Sequence, residues 1–396
     1  MATVLQTDFA WPDVEIERAV IEGAGHRLVA GPSEALPPER IEALVAEHDP
    51  EAIMTCWAEV SAAAVASPAK LAIVQRIGVG LDNIAVEAAT ARGAWVANVP
   101  DYCVEEVSDH AVAMIMGWLR GITPYDREVK QGHWNPAAAR LRRAADLTAG
   151  ILGFGRIGRA SARKLTGIGL TVVAHDIAAP ADPALAELVD MAELLARSDI
   201  VVVHLPLTPE TEHLVDADFM AAMRYGSLLV NVSRGPVVDN AALIWGLEEG
   251  PLAAAALDVV EGEPDPPQEL VARADVVATP HVAFSSDASL AELRQRSAEE
   301  VVRVLAGGTD LLVQLRAGMI DPDLVVDVKN IPELGTVTSE NGGFRIGAVV
   351  SGAVLGEHGE VAKLWPGVVE AAELIGSTQV QGRASMGGNL CNASPA

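Results

Sequence analysis

A chain of 396 residues exceeds what one ordinary hydrophobic core holds and points to two or three domains. Its 54 acidic and 28 basic residues leave a formal charge of −26, a field that repels phosphate backbones and anionic membrane surfaces and so excludes a general nucleic-acid or lipid binder. Half of the residues are hydrophobic and 21% are charged, which excludes a disordered chain.

The first hundred residues alternate short apolar runs with helical stretches. Strands are predicted at 4–5, 26–30, 52–55, 73–77 and 95–98, and a helix at 38–47 with Ile41, Leu44 and Val45 on its apolar side. This alternation reads as an open α/β layer. Asp8, Asp13, Glu15 and Glu17 arrive early, so no signal peptide is expected. A strong helix follows, because Val104, Val107, Ala111, Met114, Ile115, Trp118, Leu119 and Ile122 recur at spacings of three and four. Glu105 and Glu106 suit the positive end of its dipole. The same helix carries His110, read as a solvated or core-edge residue without chemistry. Its richest apolar run, 111–119, is well short of the ~18 residues that a membrane span needs.

From about residue 146 the pattern becomes regular. Strands are predicted at 147–152, 171–175, 200–205, 227–232, 253–259 and 276–278, with helices at 156–166, 191–197 and 239–248 between some of them. Near-continuous Val/Ile/Leu/Ala runs joined by helices predict parallel strands covered on both faces, a doubly wound sheet. A last helix, 289–305, leads into a glycine-rich tail over 307–396.

Gly153, Gly155 and Gly158 form a Gly-x-Gly-x-x-Gly turn between a predicted strand and a predicted helix. Gly153 permits the tight turn, Gly155 lets a pyrophosphate approach the backbone, and Gly158 lets helix and strand pack closely, with Arg156 and Ile157 opening the helix. Asp176 ends the next strand, 18 positions after Gly158, where a carboxylate accepts hydrogen bonds from ribose hydroxyls and repels a 2′-phosphate. The expected cofactor is therefore NAD rather than NADP. Farther on, Arg234, Glu263 and His281 each follow an apolar strand, at the carboxyl edge where open α/β sheets bind ligands. A guanidinium forks onto a carboxylate, a histidine trades a proton, and a glutamate orients that histidine. His175 and His204 also end strands, so spacing alone leaves the choice of histidine open. Cys56, Cys103 and Cys391 are odd in number and widely separated, which fits a reducing cytoplasm and predicts neither a disulfide framework nor a cysteine-based metal site.

Five separated segments resemble those of the D-isomer-specific 2-hydroxyacid dehydrogenases. Gln75-Arg76-Ile77-Gly78-Val79-Gly80 is similar to their substrate loop, and the segment from Asn98 to Val107 to their domain crossing. Val232-Ser233-Arg234-Gly235, Leu257-Asp258-Val259 with Glu261-Gly262-Glu263, and Thr279-Pro280-His281 are similar to their Arg, Glu and His motifs, in order. The resemblance covers roughly 3–306 and is nearest to the branch of C-terminal-binding-protein-like and phosphoglycerate-dehydrogenase-like proteins. It implies two Rossmann-like parallel-sheet domains: a discontinuous substrate domain (1–100 and 282–306) around an NAD domain (101–281). It implies hydride transfer between NAD(H) and a small 2-hydroxy or 2-keto acid, catalysed by Arg234, Glu263 and His281. It also implies that Gly78 and Val79, with Arg76 before them, meet the substrate carboxylate, that Ser233 and Asp258 lie at the cofactor, and that the protein is a cytoplasmic homodimer. C-terminal-binding proteins keep this site while acting as assembly factors, so an NAD-sensing interaction protein is the alternative.

The tail resembles a different family. The segment around Ala306, Gly307, Gly308, Thr309 and Asp310 is similar to the first flavin loop of the FAD-binding subunit of molybdenum hydroxylases, and that around Gly387, Gly388 and Asn389 to the second. This implies a partial α+β FAD-binding-like segment over 307–396, and a third reading in which the chain carries FAD for electron transfer. That family's opening strand and helix are replaced here by the dehydrogenase helix, so a working flavin pocket is not expected.

Overall fold

The apolar runs of the first hundred residues become one parallel sheet. In a computed structural model, residues 1–180, 182–305, 335–340 and 343–373 are described. They divide into two compact units, Met1–Val99 with the residues from Leu293 on, and Pro100–Glu292.

In the first unit, β1 (Thr3–Gln6), β2 (Arg27–Ala30), β3 (Ala52–Thr55), β4 (Ile73–Arg76) and β5 (Trp95–Ala97) run in the order β2-β1-β3-β4-β5, every pair parallel. Strands covered on both faces lose their polar alternation, and Val4, Leu5, Ile53 and Met54 are all fully buried. The helix Pro38–His48 starts on a proline that needs no amide partner and ends at Asp49 in the left-handed conformation. It sets Ile41 and Val45, one turn apart, into the core with Leu5, Ile53 and Val74. The chain returns to this unit through the helix Asp287–Leu305. There Arg294 grips the buried Glu17 with two bonds, Nε to Oε1 at 3.0 Å and Nη2 to Oε2 at 2.8 Å. A forked pair of this kind compensates two buried charges and fixes the helix in one register.

In the second unit, β6 (Thr148–Leu152), β7 (Thr171–His175), β8 (Glu187–Leu188), β9 (Ile200–Val203), β10 (Ser227–Asn231), β11 (Leu252–Leu257) and β12 (Val276–Ala278) form a seven-stranded sheet. Its order is β12-β11-β10-β9-β6-β7-β8, with all pairs parallel. The direction of winding reverses between β6 and β9, and a doubly wound sheet opens its ligand crevice at the carboxyl ends of such strands. Predicted strands 200–205 and 253–259 outrun their ladders; the surplus residues, Leu205 and Asp258 among them, belong to the loops of that carboxyl edge.

One predicted helix is two. Val104–Arg120 stops at Gly121, which takes a left-handed φ of 60°, and a second helix runs over Ile122–Lys130. Only glycine enters that conformation without a Cβ penalty, and a Cβ there would also lie 2.5 Å from the Tyr125 ring. Ile122 therefore leaves the buried face on which its spacing placed it and is 62% exposed. The first helix packs along Arg156–Gly167, with Lys164 Nζ donating to Ser108 Oγ at 2.7 Å and pairing with Asp109 at 2.7 Å.

In the tail, β13 (Val337–Glu340) and β14 (Gly343–Ile346) pair antiparallel, and the helices Gly352–Gly356, Gly359–Leu364 and Pro366–Glu373 follow. Val350, Leu355, Val361 and Val369 form a small core of their own. Ala306, Gly307, Gly308, Thr309, Asp310, Gly387, Gly388 and Asn389 lie outside the described residues.

Candidate active site

At the switch between β6 and β9 the backbone needs its glycines. Gly153 has φ 96°, and a Cβ on it would lie 2.7 Å from His204 O, at the end of β9. A Cβ on Gly158 would run into Gly153 O, so helix and strand could not close. Gly155 faces open space within 4 Å, and no side chain caps the helix Arg156–Gly167. The amides of Arg156 and Ile157 thus open a helix N-terminus suited to an anion beside a backbone with no steric guard. The residues present fit a dinucleotide pyrophosphate.

Asp176 stands one residue past β7. Its Oδ2 accepts from Phe154 N at 2.7 Å, and its Oδ1 from Ala178 N at 2.8 Å and Ala179 N at 2.7 Å. Burial pushes its carboxyl upward, but these three amides outweigh that and hold it below the usual range. It therefore stands charged, fastened to the glycine loop.

The three catalytic candidates follow β10, β11 and β12 in turn. Asn231, fully buried at the end of β10, folds the first turn: its Nδ2 donates to Arg234 O at 2.9 Å and its Oδ1 accepts from Ser233 N at 3.1 Å and Ser233 Oγ at 2.8 Å. Gly235 packs so closely on the backbone of Val260 and Glu261 that a Cβ would not fit, which ties this turn to the loop after β11. That loop brings Glu263 to His281, with Oε1 3.0 Å from Nδ1. The structure thus joins Glu263 and His281 directly and sets Arg234 on the neighbouring strand end, where Asn231 is in register with Leu257. His281 is a non-glycine residue at φ 52°, a conformation that costs about 1–2 kcal/mol and needs holding.

The two other strand-end histidines differ in kind. His175 Nδ1 meets Val189 O at 2.9 Å. His204 has a buried Nε2 without a hydrogen-bond partner, and burial pushes its pKa down to about 4. Of the three, His281 has a carboxylate on its ring.

Residues 112–283 match the family described as D-isomer specific 2-hydroxyacid dehydrogenase, NAD binding domain. The D-3-phosphoglycerate dehydrogenase of Mycobacterium bovis is 34% identical over 339 residues, covering 83% of this chain and 63% of that protein. The glyoxylate reductase of Korarchaeum cryptofilum is 36% identical over 298 residues, 73% of this chain and 86% of that protein. The chain belongs to the D-isomer-specific 2-hydroxyacid dehydrogenases. It spans about 63% of the length of the mycobacterial relative. Among solved structures, the NADPH-dependent glyoxylate/hydroxypyruvate reductase of Sinorhizobium meliloti is similar, with 28% identity and a TM-score of 0.68 over 78% of this chain and 95% of that one. Residues 281–396 match a second family, the FAD binding domain in molybdopterin dehydrogenase; this match begins ahead of the tail and takes in the helix Asp287–Leu305.

The residues that the resemblance assigns to a substrate loop lie in the first unit, at the end of β4. Arg76 is 7% exposed, its Nη1 donates to Ile77 O, and its guanidinium lies 5.7 Å from the centre of the Trp57 ring. Gly78 leaves room for that guanidinium, since a Cβ would be 2.6 Å from Nη1. Val79 O accepts from Asn98 Nδ2 and Gly78 O from Val99 N, so the two residues that follow β5 steady the loop.

Three residues near the site carry no local signal of a role. Asn231 and Thr279 stand in the sequence only as members of the segments that resemble the Arg and His motifs. His110, to which no chemistry was assigned, has its Nε2 3.0 Å from Thr279 Oγ1 and 3.6 Å from Asp258 Oδ1. It is 169 positions from Thr279, and no local pattern marks such a pair.

Proposed function

We propose that this chain is an NAD-dependent D-2-hydroxyacid dehydrogenase acting on a small 2-hydroxy or 2-keto acid. The observation that carries the reading is the His281–Glu263 pair, 3.0 Å apart, beside the Arg234 turn at the carboxyl edge of the sheet. NAD(H), when bound, would supply the hydride chemistry at substrate C2. Arg234 forks onto the substrate carboxylate and polarises the C2 oxygen. His281 has Nδ1 on Glu263, so Nε2 hands a proton to that oxygen in reduction and takes it in oxidation. Glu263 fixes the tautomer and the orientation of the ring.

Gly153, Gly155, Arg156, Ile157 and Gly158 cradle the pyrophosphate, Asp176 takes the adenosine ribose, and Ser233 and Asp258 lie toward the nicotinamide. The charged Asp176 favours NADH, in contrast to the NADPH-dependent relative from S. meliloti. The backbone of Gly78 and Val79 meets the substrate carboxylate, with Arg76 buttressing that loop from behind. In domain terms, 1–100 and 282–306 hold substrate, 101–281 hold the cofactor, and 307–396 form the FAD-binding-like segment. We assign no step to FAD. A homodimer is supported by the helix Ile122–Lys130, which buries none of its residues, and by Trp134, which is 82% exposed. The free thiols Cys56 and Cys103 suit the cytoplasm.

The test is turnover of the full chain with a panel of 2-keto acids and NADH. Oxidation of NADH dependent on one of them is expected; none across small, branched and aromatic acids would overturn the reading.

A further inference from the structure

The backbone of His281 is held in its left-handed conformation by one buried side chain. Asp258, 2% exposed, accepts Val282 N on Oδ1 and Ala283 N on Oδ2, both at 2.9 Å. Its own carbonyl accepts His281 N at 2.8 Å. On the other side of the histidine, Thr279 Oγ1 donates to Asp258 Oδ1 at 2.6 Å. A single residue thus grips the chain before and after His281.

The hydroxyl of Thr279 has one proton, and it goes to Asp258. At 3.0 Å from the same oxygen, His110 Nε2 must therefore be the donor, which fixes the His110 tautomer. The chain of bonds runs from His110 Nε2–H to Thr279 O–H to Asp258, which in turn holds the amides of Val282 and Ala283. His110 sits on the helix Val104–Arg120, and one turn earlier on that helix Glu106 Oε1 accepts Ser286 Oγ at 2.7 Å. Both ends of the segment 279–286 are thus fastened to one helix. Among the described residues, His110 is the one basic side chain within ion-pair distance of the Asp258 carboxylate.

We propose that His110 and Thr279 are positioning residues: they complete the Asp258 clamp that keeps His281 turned with Nδ1 on Glu263. The catalytic consequence rests on the function proposed above, whereas the clamp itself does not. A clamp of this kind acts first on the acid–base step and leaves the glycine loop at the pyrophosphate alone, so its signature is a loss of kcat well beyond any loss of NADH affinity.

The experiment takes the full chain and compares Thr279→Val, Thr279→Ser, His110→Phe and His110→Gln with wild type. The readouts are amide hydrogen exchange over 279–286, NADH affinity, and kcat and KM for the best 2-keto acid. Thr279→Val and His110→Phe are expected to speed exchange at Val282 and Ala283 and to lower kcat by about tenfold to a hundredfold, with NADH affinity falling several-fold less than kcat. Thr279→Ser restores the hydroxyl and His110→Gln an amide donor, and both are expected to recover most of the loss. Unchanged exchange and unchanged kcat in Thr279→Val would overturn the proposal. So would loss of NADH affinity in step with kcat, which marks general damage, or failure of the serine to rescue. If the wild type turns over no 2-keto acid, the proposed function falls, and exchange at 282 and 283 still decides the clamp.

Discussion

His281 meets Glu263 through Nδ1, and nothing in that contact holds a dinucleotide. His281→Ala is therefore expected to cut kcat by about 10²–10⁴-fold while leaving the NADH dissociation constant nearly unchanged, as steady-state kinetics and fluorescence titration would show. Arg234→Ala is expected to raise KM for the keto acid and to lower kcat as well, because the proposed mechanism gives one guanidinium both binding and polarisation. Asp176 is proposed to act on the cofactor instead. Its charged carboxylate beside a 2′-phosphate should give at least about a tenfold preference for NADH over NADPH in kcat/KM, and Asp176→Ala should narrow it. Equal efficiency with both cofactors in the wild type would refute this role. His204 bears on stability. Its folded pKa is depressed from 6.5 to about 4, so below about pH 6.5 the unfolded chain binds a proton that the folded chain refuses. Stability is lost as pH falls from about 6.5 to about 4, by about 3 kcal/mol at most. Urea midpoints at several pH values should decline less steeply for His204→Gln than for wild type.

At the scale of elements, loops at strand ends are held by neighbours that the local sequence does not announce. The loop after β11 that carries Glu263 is pinned by His213 Nε2 to Glu261 Oε1 at 2.9 Å and by Asn240 Nδ2 to Glu261 O at 3.0 Å. The hydrogen bond to Glu261 raises the His213 pKa above its ordinary 6.5, so this pair adds its stability below that value and loses it as pH rises through the raised one. The pair is solvent-exposed and its effect is modest. The glycine loop is less tolerant. Gly158→Ala sets a Cβ into Gly153 O, so helix and strand must part and the N-terminal amides move off the pyrophosphate site. NADH binding is expected to weaken by at least about tenfold, with the far-UV circular dichroism of the chain retained.

On the scale of the whole molecule, an extended core lies under each parallel sheet among the described residues, whereas the described tail has a core of four buried side chains. Small cores are marginal, and an isoalloxazine ring needs a shaped apolar pocket. The purified protein is therefore expected to be colourless, and limited proteolysis should cut beyond Leu305 before it cuts either sheet. Stoichiometric FAD in the purified chain, or a tail as resistant as the sheets, would refute this.

What the sequence determined by itself was local. Apolar runs between turn and polar residues mark strands, so β3, β7 and β12 could be bounded to the residue from the sequence pattern. The glycine spacing, with Asp176 after the next strand, announced the dinucleotide turn, because each glycine answers a steric demand between near neighbours. Arg234, Glu263 and His281 were legible as strand-end residues, but spacing could not choose between His281, His204 and His175. The resemblance pointed to His281, and tertiary structure adds that this ring meets a carboxylate whereas His204 has a buried Nε2 without a hydrogen-bond partner. Tertiary structure also decided the break at Gly121, where a left-handed φ overrides an apolar spacing that continues through Ile122. It alone joined His110 to Thr279 and Asp258. Such bonds link positions as far as 169 residues apart, and only the register of the sheet and the packing of a helix bring them within 3.0 Å.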